Sequence, residues 1–337
     1  MKQSLLLTVF CAFFLAACGG VGQGRGETAV SDADTDALAG QITFIEIEQG
    51  NQFLTQYDLA TGRTNRLFTA PDNAWISHTA VSPDGSQTII AYAPEPPDGQ
   101  VQFGYTGLFR LNNGEPEEIL PRRQPDELLY NPVWSPDGSA LYYSHVISDA
   151  EQAFTFTNQL ERLQIETGEI ELIAVDGIWP RLSPDGERLA FVTVNPASLA
   201  NALYVADANG ENGMQLISED RFQVIDVPMF SPDGQWVYFA AAEVRSASQT
   251  WWEWLMGIQV AAAHNIPSDW WRIPADGSEP ERLTTINEVG LYGEFAENGR
   301  FIIFASVSGL YRMQADGSGI TQLLQTTAAP SFSWVQK

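Results

Sequence analysis

The chain has 337 residues, with 42 Asp and Glu against 17 Lys and Arg, and a formal net charge of −25. A surface this acidic repels phosphate backbones and anionic headgroups, which excludes nucleic acid and direct electrostatic membrane binding as working partners. With only two cysteines, a disulfide framework is excluded as well.

The first elements of the chain are those of export. Met1-Lys2 is a short basic start, and Ser4 to Leu15 is an apolar stretch too short to span a bilayer as a permanent helix. Leu15-Ala16-Ala17-Cys18 follows, with Gly19-Gly20 behind it. Residues 1–17 therefore read as a secretory signal peptide ending in a lipobox. The pattern resembles that of bacterial lipoproteins, which implies cleavage before Cys18, diacylation of its sulfur and acylation of the new amine. Cys11 leaves with the signal, so the mature chain keeps Cys18 and neither a disulfide nor thiol catalysis is expected. Gly19 stands where an Asp would retain such a protein at the inner membrane of well-studied Gram-negative bacteria, so an outer-membrane or cell-surface address is expected. Residues 18–40 are Gly-rich and then Asp-rich, with almost nothing to bury, and read as a flexible tether. Asp32, Asp34 and Asp36 open like a calcium loop, but Ala37 and Thr43 stand where its glycine and its last ligand belong.

From Ile42 onward the chain is repetitive. Residues 42 to 69 give three strands, ITFIEI, FLTQYDLATG and TNRLFT. SPDG then starts at Ser82, Ser135, Ser183 and Ser231, at spacings of 53, 48 and 48 residues, and a degraded copy reads Ala296-Glu297-Asn298-Gly299. Pro fixes φ at the first corner of a turn, Asp accepts local backbone hydrogen bonds at the second, and Gly takes the positive φ that closes a hairpin; each copy is predicted to be a hairpin tip. Short strands precede the tips (NPVWS, WPRLS, VPMFS, GEFA). Runs apolar on both faces follow them: Thr88 to Ala93, Ala140 to Ser144, Leu189 to Val194, Trp236 to Ala242 and Phe301 to Ala305. Such a strand must be covered on both faces. An aromatic third strand ending in a polar turn and a short fourth strand, such as EIELIAV at 169, complete each unit, and this period predicts propeller blades.

The template breaks between Val244 and Trp271, where the insertion holds half of the ten tryptophans: Trp251, Trp252, Trp254, Trp270 and Trp271. Thr250 to His264 reads as a helix, apolar on nearly every side, within an insertion at about 246–269. It lies on the face opposite the SPDG turns. Two readings stand: a cap on the channel or neighbouring blades, with Trp270 and Trp271 simply opening the third strand, or an exposed patch that docks a partner or dips into the membrane interface. The absence of lysine and arginine from residues 246–269 favours protein over anionic lipid in the second reading.

The far end repeats the pattern of the first strands. Ala329-Pro330-Ser331-Phe332-Ser333-Trp334 matches the strand that precedes each SPDG, so it is expected to join residues 42 to 69 as their innermost strand. That closes an all-β, six-bladed β-propeller over residues 41–337, with no open sheet edge and no second domain.

Chemistry is sparse. His78, His145 and His264 stand in three different contexts with no metal-ligand spacing, and His78 lies on an inner strand where it could face the channel. There is no GxSxG elbow and no phosphate-cradling loop outside the tether, so no catalytic residue, metal or cofactor is expected.

The SPDG unit with its aromatic strand and D/N-G turn resembles the repeat of TolB-like six-bladed propellers, shared with the tricorn protease and prolyl oligopeptidase rings. The resemblance covers about residues 42 to 337 and implies the fold; the extra N-terminal α/β domain of that family is replaced here by the tether. The expected protein is a lipid-anchored, non-enzymatic envelope module, a monomer, held to the membrane through the lipid on Cys18. It binds a protein, peptide or glycan through the tryptophan-rich face. The competing expectation is a propeller hydrolase or lyase acting on polysaccharide or peptide at the channel mouth.

Overall fold

The computed structural model describes residues 38–95, 105–124, 127–148, 156–243, 266–296 and 299–335. The expected signal peptide, Cys18, residues 18–37 of the expected tether and residues 244–265 of the insertion lie outside them; the last tether residues are not free, since Leu38 is buried in the core and the Gly40 carbonyl accepts the Leu59 amide at 3.1 Å. Among the described residues there are twenty-four strands, in six four-stranded antiparallel sheets, and no α-helix.

Blade 1 contains β1 (Gln41–Glu48), β2 (Asn51–Asp58) and β3 (Arg63–Thr69). Blade 2 contains β4 (Trp75–Val81), β5 (Thr88–Ala93), β6 (Gly107–Asn112) and β7 (Glu115–Leu120), and blade 3 contains β8 (Glu127–Trp134), β9 (Ala140–Ser148), β10 (Phe156–Gln164) and β11 (Ile170–Val175). Blade 4 runs through β12 (Gly177–Leu182), β13 (Arg188–Val194), β14 (Asn201–Asp207) and β15 (Met214–Ile217). Blade 5 runs through β16 (Phe222–Phe230), β17 (Trp236–Glu243), β18 (Asp269–Pro274) and β19 (Glu281–Arg282), and blade 6 through β20 (Tyr292–Ala296), β21 (Phe301–Ser306), β22 (Gly309–Gln314) and β23 (Thr321–Gln325). The last strand, β24 (Ala328–Val335), pairs antiparallel with β1, Gln41 opposite Val335 and Phe44 opposite Phe332. The ring therefore closes as the repeat predicts.

Each SPDG is a hairpin tip, and its chemistry is the same four times over. In the first copy the Gly85 amide donates to the Ser82 carbonyl at 2.8 Å, the Ser82 hydroxyl donates to Asp84 Oδ1 at 2.6 Å, and the Ser86 amide donates to the same oxygen at 3.0 Å. Gly85 sits at φ 74°, in the left-handed region that a Cβ disfavours. The second strands that follow are buried on both faces: β5 and β21 contain no exposed residue.

Apolar clusters fill the seams between blades. Leu129, Leu141 and Tyr143 of blade 3 meet Ile89, Ala91 and Leu108 of blade 2, and Trp270 of blade 5 meets Ile302 and Phe304 of blade 6. The outer part of a seam is closed by a glycine turn leaning on the preceding blade. At Gly210 in blade 4, with φ 85°, a Cβ would stand 2.1 Å from the Ile173 carbonyl oxygen of blade 3.

The innermost strands carry a feature that their sequence argues against. Asn131, Trp179 and Val227 each precede a proline, yet they adopt φ of 49°, 57° and 48°, at points where the register of β8, β12 and β16 slips. A residue before proline ordinarily prefers extended backbone, and left-handed backbone at a β-branched residue such as Val227 costs about 1–3 kcal/mol. All three are buried in the middle of the ring.

Candidate functional site

The inner strands turn side chains toward the ring axis, where several of them meet across it. Tyr292 of blade 6 donates its hydroxyl to Asn131 Oδ1 of blade 3, directly across the ring, at 3.3 Å. The Trp179 indole meets Tyr292 edge-on with centroids 6.4 Å apart and His78 at a tilt at 5.5 Å, and Tyr130 packs on His78 at 5.3 Å. His78 thus lies at the axis, wedged between aromatic rings. Closer to the SPDG end, Arg181 Nη1 of blade 4 meets Glu294 Oε1 of blade 6 at 3.2 Å, and Glu294 Oε2 accepts the Trp334 amide of blade 1 at 2.8 Å. Burial pushes the Glu294 carboxyl up, against the pull of Arg181. It pushes the Tyr292 hydroxyl up to about 12.

The opposite face carries the root of the insertion. Of the five tryptophans expected there, Trp251, Trp252 and Trp254 lie outside the described residues, and Trp270 and Trp271 are strand residues inside the ring. Trp270 is fully buried, opposite Ala240 in β17, and fills the space left by Gly293, where a Cβ would stand 2.6 Å from the indole. Trp271 is buried beside Phe222, their centroids 4.9 Å apart. The expected insertion at about 246–269 gives way to strand at its last residues: Ser268 bridges to Glu288 and Asp269 opens β18. At this rim the guanidiniums of Arg221 and Arg282 lie 5.6 and 5.7 Å from the Trp271 ring, and Glu243 lies 3.8 and 3.7 Å from the same two arginines. Arg282 Nη2 also reaches Asp269 Oδ2 at 2.6 Å. Ser218, Asp220, Arg221 and Glu243 line a cleft of about 490 Å³. The Ser218 hydroxyl holds the Asp220 carboxyl below its usual range.

A second constellation, hidden from motif reading, is buried in the seam between blades 2 and 3 toward the same face. His145 Nδ1 stands 2.7 Å from Arg123 Nη2 and 3.2 Å from Glu161 Oε1. Its Nε2 stands 3.3 Å from Glu127 Oε1, inside ion-pair range though outside hydrogen-bond geometry. Tyr143 donates to Glu161 Oε2 at 2.6 Å, and Glu127 Oε2 accepts the backbone amides of Arg123 and Gln124. Burial works to raise the Glu161 carboxyl, but hydrogen bonds from His145, Tyr143 and Arg123 outweigh it and hold it at about 2. The two carboxylates address opposite nitrogens of one imidazole and so do not converge on a point. Among the described residues, no group of three or more His, Cys, Asp and Glu side chains is placed to hold a metal. The residues lie 16 and 18 positions from His145 in sequence, and the register of β8, β9 and β10 is what gathers them.

No protein-family profile matches the chain. A curated relative, tricorn protease homolog 1 of Streptomyces coelicolor, is 28% identical over 152 residues, covering 45% of this chain, and the match spans only 13% of that relative's length. Among solved structures, a putative TolB from Agrobacterium tumefaciens superposes with a TM-score of 0.57 at 19% identity, over 87% of this chain and 93% of that one. TolB from Acinetobacter baumannii gives 0.61 at 16% identity, over 89% and 68%. The fold is that of a TolB-like propeller. The TolB-like ring is also similar to an oligogalacturonate lyase in complex with manganese, with a TM-score of 0.53 at 14% identity over 85% and 74% of the two chains. At these identities likeness speaks for the fold and leaves the chemistry of a TolB-like ring to its own residues.

Proposed function

We propose that the chain is a lipid-anchored cell-envelope protein whose propeller is a non-enzymatic binding module, docking a protein, peptide or glycan through the face that carries the insertion. The observation that supports this reading is the meeting of side chains across the axis. The Tyr292–Asn131 contact crosses the ring between opposite blades and the Arg181–Glu294 pair joins blades 4 and 6 within it, so recognition falls to the rim. There, at the foot of the insertion, Arg221 and Glu243 line a cleft that is open to solvent, with Arg282 paired to Glu243 beside it. Anchoring rests on the signal peptide of residues 1–17 and the lipobox cysteine, with residues 18–37 as tether to the monomeric ring, which begins at the buried Leu38, at the outer membrane or cell surface. A membrane pull-down with the full chain and with residues 246–269 deleted tests the docking face: the partner should be lost on deletion, and equal recovery defeats the proposal. Cys18→Ala should abolish incorporation of labelled palmitate and release the chain from membranes.

A second reading is favoured by the partial match to a protease homolog, the ring shared with a lyase, and the Glu127–His145–Glu161 constellation toward the same face. In it the chain is a hydrolase or lyase acting on polysaccharide or peptide at the channel mouth. Stoichiometric divalent metal co-purifying with the chain, together with polysaccharide cleavage that stops when the metal is removed, would establish this reading and end the first.

A further inference from the structure

The outer strands of the six blades differ in how they meet solvent. β3 exposes Arg63 and Arg66, β7 sets Pro116 among three glutamates, β15 has four residues, β19 has two, and β23 exposes Thr321, Gln322 and Gln325. Charge, proline, brevity and polar side chains all protect an edge. β11 has one exposed charge, Glu171, and otherwise meets solvent with apolar side chains. Ile170, Leu172 and Val175 are 36%, 51% and 59% exposed, three of the seven large apolar residues found exposed among the described residues.

A bulge lines these three up. Leu160 of β10 opposes Ala174 while Glu161 opposes Leu172, so Ile173 is the extra residue. Its insertion shifts the alternation, and Ile170, Leu172 and Val175 fall opposite Leu163, Glu161 and Gln159, on one face of the sheet. Ile173 turns the other way, into the cluster with Leu160 and Phe191. At about 3.3 Å per residue the exposed stripe is roughly 17 Å long.

We infer that this face of β11 docks an extended peptide segment of a partner protein in which apolar and basic side chains alternate. Spacing selects an extended guest, because apolar side chains at i and i+2 of a strand repeat at the distance that separates Ile170 from Leu172. Charge selects a basic one. Glu169 stands exposed just before the strand, Asp176 follows it, Glu171 on the other face takes up the Arg162 guanidinium, and the whole chain carries −25. The same charge disfavours a second copy, since stripe against stripe would bring the glutamates of two such chains together. The surface is on blade 3, away from the blade 5 insertion, and stands independently of the docking face proposed above.

Fluorescence anisotropy tests this with a short end-labelled peptide alternating valine and lysine, titrated with the full chain. The peptide should bind. Leu172→Lys with Val175→Lys should raise Kd at least about tenfold while moving the unfolding midpoint little, because both side chains are already more than half exposed. Glu169→Gln keeps the stripe and should weaken binding less, reducing its salt dependence, and a valine–glutamate peptide should not bind. Any of four results overturns the inference: no binding at millimolar chain, equal affinity for the double variant and the natural chain, equal binding of the glutamate peptide, or a concentration-dependent dimer that the double substitution abolishes.

Discussion

Trp270→Ala should lower the melting temperature of the ring while leaving every docking surface intact. The indole is fully buried in the seam between blades 5 and 6, its centroid 6.0 Å from that of Phe304. Emptying such a site costs about 3–5 kcal/mol. For a ring of about 295 residues, an unfolding entropy of ~2.1 cal/mol/K per residue gives ~0.6 kcal/mol/K, so Tm should fall by roughly 5–8 °C. Gly293 supplies an internal control. A Cβ there would stand 2.6 Å from the indole, so Gly293→Ala alone should destabilise, whereas in the Trp270→Ala background its methyl enters vacated space. The two changes should therefore be coupled by about 0.5–3 kcal/mol. Calorimetry on the natural chain, both single variants and the double variant measures all of this. A Tm within about 1 °C of the natural value for Trp270→Ala, or strict additivity of the pair, would refute the packing argument.

Gly210→Ala should cost well over the ~1 kcal/mol of left-handed backbone alone, because its Cβ meets the Ile173 carbonyl at 2.1 Å; Gly168→Ala, at φ 72° with nothing within 4 Å, should cost only the backbone term, and urea midpoints separate the two. Asp84, Asp137, Asp185 and Asp233 are each held below the usual carboxylate range by the serine hydroxyl of their own turn, Asp84 at about 2. Depressed folded values mean that their stabilisation is present above the unfolded pKa of ~3.9 and is lost as pH falls through the folded values. Asparagine at all four positions should flatten the acid limb of the urea midpoint between about pH 4 and 2; an unchanged limb counts against these turns as its source. Glu161→Gln leaves His145, Tyr143 and Arg123 without their shared carboxylate and should cost about 1.5–3 kcal/mol at neutral pH, read by the same midpoint.

Local chemistry was legible in the sequence and long-range chemistry was not. The SPDG turns are built within six residues, and the run from Thr88 to Ala93 is β5 to the residue, because burial on both faces leaves no polar alternation to misread. Ring closure could also be read, since Pro330, Ser331 and Phe332 repeat an inner-strand pattern that needs a partner. The left-handed backbone at Asn131, Trp179 and Val227 could not, because local preference before proline points the other way and the ring overrides it. Arg181 and Glu294 are 113 residues apart and meet only because six blades surround one axis. Trp270 and Trp271 read equally well as surface or strand. Register decides, placing them opposite Ala240 and Phe239, where the seams have room for indoles.

The join between β24 and β1 imposes an order of events on the chain. Blade 1 takes strands from both ends of the ring, and the Ser331 and Ser333 hydroxyls of β24 accept the backbone amides of Thr79 and Val81 in β4, 252 residues away. Neither blade 1 nor its seams with blades 2 and 6 can be complete while residues 328–335 are still being made. The earliest strands to emerge must therefore wait for the latest, with the buried edge of β1 exposed in the meantime. Contacts this distant in sequence make folding slow, and they make the ring post-synthetic: a segment anchored ahead of Gln41 would be fixed in place before the ring behind it could lock.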